Sequence, residues 1–269
     1  MAPEKLEESL HWLKHDDEER ARLNNQHRVL IHVIDNKIIH APIDHSTITR
    51  IADLDALAAY LDTIPTATGQ TRQYDGLDMS PANFPASYPE NFHYGVYNIL
   101  QPVPEELKEK YDLVHVRLLV AALSKEDVST VLDNLAQLLR TGGWIQWDEL
   151  DGDSWAGRVH SSHVREINEL VRKHMETKGM ELYGKSPSQP SQRVREIFNT
   201  VKNGSELKDD INSTYLWSCT RSTKMILLAS GKPNVEEEFQ RLARGAKADI
   251  QRDGIFWDSD EHVLFAQKK

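Results

Sequence analysis

Several short β-like runs of the chain end on side chains that can do chemistry. Asp78 closes the run Gln73–Asp78. A carboxylate there can accept two hydrogen bonds from the vicinal hydroxyls of a ribose, or it can be a turn aspartate capping the next helix. Met79 beside it suits the face of a planar ligand or an ordinary core. Asn98 follows the run Asn91–Val96. Its amide can hydrogen-bond a ligand, with Ile99 beside it, or simply turn the chain ahead of Pro102. His115 and Arg117 end the run that begins at Tyr111. His115 also reads as a hydrogen-bonded buried histidine, and Arg117 as a structural partner for Asp112 or a loop carboxylate. Trp147 and Glu149 follow the run Gly143–Trp147. An indole there can wall a planar substrate or pack plainly, and Glu149 can orient a nucleophile.

Other reactive side chains point less far. His160 and His163 lie three apart, a spacing that suits a metal, but no third ligand is evident. The single cysteine, Cys219, makes no internal disulfide and no cysteine cage; it reads as a small apolar filler. The formal net charge of −10 disfavours a phosphate backbone as partner. A hydrophobic fraction of 39% with 28% charged residues is an ordinary globular balance over 269 residues, enough to bury a core. No apolar run reaches membrane-spanning length, and the start Met1–Glu8 has no apolar signal core. The expectation is a cytoplasmic protein, a nuclear site being possible, with neither nucleic acid nor membrane as partner.

The elements that would position these residues alternate in type. Strands are predicted at Thr49–Leu54, Gln73–Asp78, Asn91–Val96, Tyr111–Val116 and Gly143–Trp147. Helical patterns lie over Ala56–Leu61 and Lys125–Leu139, the second with Val128, Val131, Leu132, Leu135, Leu138 and Leu139 on one stripe. Thr141-Gly142-Gly143 reads as the glycine stop of that helix. Alternation of this kind argues for a parallel α/β sheet, whose ligands bind outside the carboxyl ends of the strands. Further helices are predicted over 4–34, 160–183, 190–202, 205–229 and Asn234–Asp253. Gly254–Trp257 and His262–Ala266 then read as a closing hairpin.

Seven segments in order carry a resemblance: Glu19–His27, Lys37–Ile43, Arg50–Asp53, Gly76–Ser80, Asn98–Pro104, Tyr111–Leu119 and Leu138–Glu149. Together they resemble the class I S-adenosylmethionine-dependent methyltransferases, in particular the fungal branch tied to secondary metabolism. The resemblance implies a Rossmann-like seven-stranded, mostly parallel sheet with a C-terminal antiparallel hairpin. N-terminal helices and a helical insertion would form a lid. One domain over 1–269 is expected: a helical cap at 1–45, a cofactor-binding core at 46–150, a lid region at 151–253 and the hairpin at 254–269. The implied cofactor is S-adenosyl-L-methionine, with S-adenosyl-L-homocysteine as product. A small-molecule acceptor would be methylated on oxygen or sulfur by a monomer or homodimer. Asp53, Asp78, Met79, Asn98, Ile99, His115 and Arg117 are then cofactor-binding candidates. Gln26 and Trp147 are substrate-binding candidates, and His27 and Glu149 the candidates for general base.

The chain departs from that family at one place. Members carry a glycine-rich turn of the pattern Asp-x-Gly-x-Gly-x-Gly after the first strand, which lets the backbone approach the methionine part of the cofactor. Here Asp53 is followed by Leu54-Asp55-Ala56-Leu57-Ala58-Ala59-Tyr60, and no glycine lies between Lys37 and Gly69. The simplest alignment lacks about five residues there. Either the loop is truly absent and the fold binds the cofactor weakly or not at all, as a cyclase, a pericyclase or a non-catalytic partner would allow, or Asp53 and its neighbouring backbone bind it in another way, or the sequence derives from a shortened reading of its gene or an engineered deletion.

Overall fold

The computed structural model describes residues 17–33, 37–53, 57–81, 84–119, 122–150, 162–179, 206–231, 233–253 and 261–269. They fall into two compact units.

The α/β unit is Lys37–Leu119, Leu123–Glu149 and His262–Lys269. Its strands are β1 (Arg50–Asp53), β2 (Gln73–Asp78), β3 (Phe92–Val96), β4 (Tyr111–Arg117), β5 (Leu139–Leu150) and β6 (Glu261–Gln267). They form one sheet in the order β3-β2-β1-β4-β5-β6. Neighbouring strands from β3 through β5 are all parallel. The described residues therefore give six strands rather than seven. Of the expected hairpin, only the second arm, β6, falls among them; Gly254–Trp257 lies outside. Every residue of β4 is buried, as a central strand covered on both faces requires.

The crossover from β1 to β2 carries a single helical turn, α2 (Ala58–Leu61). Buried Arg72 secures it. Its guanidinium donates to the carbonyls of Ile48 (3.0 Å), Leu61 (2.8 Å) and His45 (2.9 Å), and also to Ile64. A cation at the carbonyl end of a turn also suits the local dipole. The crossover from β4 to β5 is a full helix, α3 (Asp127–Leu138). Val131, Leu135 and Leu138 are buried as the stripe predicts, whereas Leu132 is 46% exposed and belongs to the outer face.

The expected glycine stop is a different device. Helix α3 passes into β5 at Leu139 with no loop between them. Gly142, at φ +81°, and Gly143 face the single residue Lys268. The Gly142 N–H donates to the Lys268 carbonyl, and the Lys268 N–H donates to the Gly143 carbonyl, both at 2.9 Å. Two residues against one is a β-bulge, with glycine in the left-handed position. A Cβ on Gly143 would lie 2.7 Å from the Tyr111 carbonyl oxygen, so the strands approach there only because it is glycine.

The helical unit is Met1–Asn36, Val120–Ala122 and Leu150–Glu261. It packs α1 (Asp17–Val33), α4 (Ser162–Thr177), α5 (Glu206–Ala229) and α6 (Val235–Asp253). Asn25 donates to Thr214 Oγ1 (2.5 Å) and Arg22 to Ser218 Oγ (3.3 Å), tying α1 to α5. Val164, Ile167, Val171 and Met175 bury one face of α4. His163 lies 3.0 Å from Asp249 Oδ2, against Gly245 of α6. The predicted partner His160 and the predicted helix 190–202 lie outside the described residues, and Cys219 falls on α5. Among the described residues no helix is long and apolar enough to cross a membrane.

Candidate active site

In the α/β unit, parallel pairing lines up side chains from five strands in rows across the sheet. The strand registers place Asp53 opposite Gly76 and His115, Gly76 opposite Tyr94, and His115 opposite Gln146. One row thus reads Tyr94, Gly76, Asp53, His115, Gln146. One step nearer the carboxyl ends, Asp78 pairs with Val96 and Arg117 with Asp148. Residues two apart on a strand share a face, so both rows stand on the same side of the sheet. They flank the junction of β1 and β4, where the strand order reverses and open α/β sheets hold their ligands.

His115 is the centre of the first row. It is fully buried, with Nε2 2.8 Å from Asp148 Oδ2 and Nδ1 3.3 Å from Asp53 Oδ1. Burial alone would depress the imidazole, but the hydrogen bonds and charges of Asp148 and Asp53 outweigh it and raise its pKa to about 10. The histidine is therefore an imidazolium at neutral pH, a cation shared by two carboxylates. Gln146 extends the network. Its Nε2 donates to Asp148 Oδ1 (3.0 Å) and the Ile38 carbonyl (2.8 Å), and its Oε1 accepts from the His40 (2.7 Å) and Ala41 (3.3 Å) backbone N–H groups. This juxtaposes the Lys37–Ile43 segment with β5.

Asp53 is turned inward: Oδ1 faces His115 and Oδ2 accepts from the Leu57 N–H at the start of α2. Its carboxylate thus links the end of β1 to the start of α2. Asp78 stands at the carboxyl end of β2, where Oδ1 accepts from the Ser80 N–H (2.7 Å), and Met79 beside it is 37% exposed. Asn98 Oδ1 accepts from the Leu100 N–H (3.0 Å) in an Asx turn, and the Ile99 carbonyl is held by buried Asn134 (2.7 Å). Buried Arg117 ends β4 in register with Asp148. It is not the partner of Asp112, which lies at the other end of that strand and holds Arg140 and the Thr49 and Arg50 N–H groups. Trp147 and Glu149 are buried, and the indole N–H donates to Glu149 Oε2 (3.2 Å).

Asp53, Asp78, Met79, Asn98, Ile99, His115, Arg117, Trp147 and Glu149 thus gather at the carboxyl end of one sheet. Gln26 and His27 belong to α1 of the helical unit, where Gln26 Oε1 accepts from Arg22 (3.0 Å). Sequence reasoning passed over Tyr94, Gln146 and Asp148. The period-two alternation of His115–Arg117 and Gln146–Asp148 was the available signal. The set at the ends of β2 and β3, a carboxylate, an amide, a thioether and an isoleucine, suits the hydroxyls, amino group and ring of a nucleoside. The β1 exit offers no glycine backbone.

No protein-family profile matches the chain. The methyltransferase grgD of Penicillium sp is 73% identical over 285 aligned positions, covering all of both chains. That alignment is longer than the 269 residues here, so the relative carries residues that this chain lacks. The N-methyltransferase sirN of Leptosphaeria maculans is 34% identical over 142 residues, 52% of this chain and 50% of its own. Among solved structures, a loganic acid methyltransferase with SAH superposes with a TM-score of 0.52 at 11% identity, covering 92% of this chain and 93% of its own. That likeness is one of fold.

Proposed function

Since the chain belongs to the fungal methyltransferases, we propose that it binds S-adenosyl-L-methionine and methylates a small-molecule acceptor of secondary metabolism. One observation carries this reading: Asp78 and Asn98 stand at the adjoining ends of β2 and β3, with Asp78 in register with Val96, two residues before Asn98. Asp78 would take the ribose hydroxyls and Asn98 the adenine amino group, with Met79 and Ile99 against the ring. When bound, the cofactor supplies an electrophilic methyl group. The protein's part is to hold acceptor and nucleoside in line and to keep water away, and orientation of this kind lowers a barrier by several kcal/mol.

Oxygen or sulfur is the acceptor atom we favour; the name of the sirN relative adds nitrogen. A phenolate or thiolate needs little general base. An alcohol needs one, for which Glu149 is the candidate within the α/β unit. Calorimetric titration with S-adenosylmethionine and S-adenosylhomocysteine tests the reading. Binding should weaken about tenfold or more in Asp78→Ala, by loss of charge-assisted hydrogen bonds. Absence of binding to the unaltered protein at millimolar ligand would remove it.

A second reading is favoured by the inward turn of Asp53, both of whose oxygens are engaged within the protein. A pocket that orients a precursor without a methyl donor could serve a cyclase or pericyclase. Conversion of a polyketide or peptide-derived precursor without added cofactor is its test, and unchanged precursor counts against it.

A further inference from the structure

The row that contains Asp53 ends in an aromatic group that no feature of the reading above uses. A Cβ built on Gly76 would meet Cε1 and Cδ1 of Tyr94 at 2.6 and 2.7 Å, so the phenol ring lies directly over this glycine. From β3 it thus leans across β2 toward β1. Its hydroxyl is held un-ionised by burial first, then by the negative charge of Asp53 and by Tyr88. Phe84 and Tyr88, from the connection between β2 and β3, set their rings 5.4 and 4.9 Å from it. Tyr88 is half exposed.

The same face explains why the aromatics are there. Tyr74, two residues before Gly76, donates its hydroxyl to Asp62 just past α2 (2.6 Å), so α2 covers the amino-terminal half of this face. Among the described residues the crossover carries one turn of helix, and the aromatic cluster lies over the carboxyl-terminal half. The charge around it is negative. Asp53 and Asp148 stand against the His115 imidazolium and Arg117, and Asp78, two residues or about 7 Å along β2 from Gly76, leaves one carboxylate in excess. Aromatic faces beside excess carboxylate attract an onium cation.

We propose that Tyr94, laid over Gly76 and flanked by Tyr88 and Phe84, forms a subsite for the sulfonium centre of S-adenosylmethionine. This rests on the cofactor reading given above. The sulfonium is attached to the ribose that Asp78 would hold, and the aromatic faces distinguish the cationic methyl donor from its neutral thioether product.

The test is affinity rather than turnover. Calorimetry on the full chain should give Tyr94→Leu an S-adenosylmethionine affinity about threefold to thirtyfold weaker, with S-adenosylhomocysteine affinity changed less than about twofold. Tyr94→Phe should keep most of the preference for the cation, since a ring face remains. Equal losses for both ligands in Tyr94→Leu, or no loss for either, would overturn the proposal and leave the cofactor reading intact. If the unaltered protein bound neither ligand, both would fall. Should Tyr94→Leu fail to fold, as a thermal melt would reveal, Tyr88→Leu at the half-exposed edge of the cluster decides. A loss confined to S-adenosylmethionine supports the subsite, and equal losses for both ligands, or none, overturn it.

Discussion

At the scale of single residues, His115 has the sharpest consequence. A cation buried between Asp53 and Asp148 links stability to pH. Its folded pKa of about 10 lies above the ordinary imidazole value of 6.5. The stabilisation is therefore complete below about pH 6.5 and is lost as pH rises toward 10. Urea unfolding between pH 6 and 10, on the order of half-unit steps, should show that decline. His115→Gln should lack it and be less stable by about 3–5 kcal/mol at neutral pH, because two carboxylates remain buried without their cation. Parallel pH profiles for the two proteins would refute the assignment.

At the scale of elements, the β1–β2 crossover depends on Arg72. Arg72→Met keeps the aliphatic stem and strands the carbonyls of Ile48, Leu61 and His45. The expected loss is about 2–4 kcal/mol in urea unfolding; an unchanged midpoint would mean that water replaces the guanidinium. Gly143→Ala should cost about 1–3 kcal/mol, since its methyl would press on the Tyr111 carbonyl. These elements were only partly legible beforehand. Strands β1 to β4 were readable because each is a short local run bounded by turn residues, and α3 because its stripe is periodic. Leu132 was misplaced because the stripe drifts around the helix, and Gly142 because a glycine after a helical run looks the same whether it caps the helix or bulges the next strand. The row Tyr94–Gly76–Asp53–His115–Gln146 was not readable at all. Each residue sits in a different strand, and only the parallel registers bring them into line.

At the scale of the α/β unit, the two rims of the sheet divide the work. At the amino-terminal rim, buried Asp112 binds Arg140 and the Thr49 and Arg50 backbone, and buried Asp75 binds Lys110 and the Tyr111 hydroxyl. These bonds close strand to strand. The carboxyl-terminal rim holds Asp78, Asn98, Arg117 and Asp148 beside the reversal of strand order. Two carboxylates of one sheet should therefore respond oppositely to substitution. Asp112→Ala should lose about 2–4 kcal/mol of unfolding free energy, because the Thr49 and Arg50 N–H groups lose their acceptor. Under conditions where it stays folded, its S-adenosylmethionine affinity should remain within about twofold of the parent, a difference of ~0.4 kcal/mol. Asp78→Ala should do the reverse, with weakened binding and a loss of only about 1 kcal/mol of unfolding free energy, for the Ser80 N–H that its carboxylate caps. Measuring both quantities on both variants separates architecture from chemistry. If Asp112→Ala weakened binding as much as Asp78→Ala, the rims would not be independent and the placement of the site at the strand ends would fail.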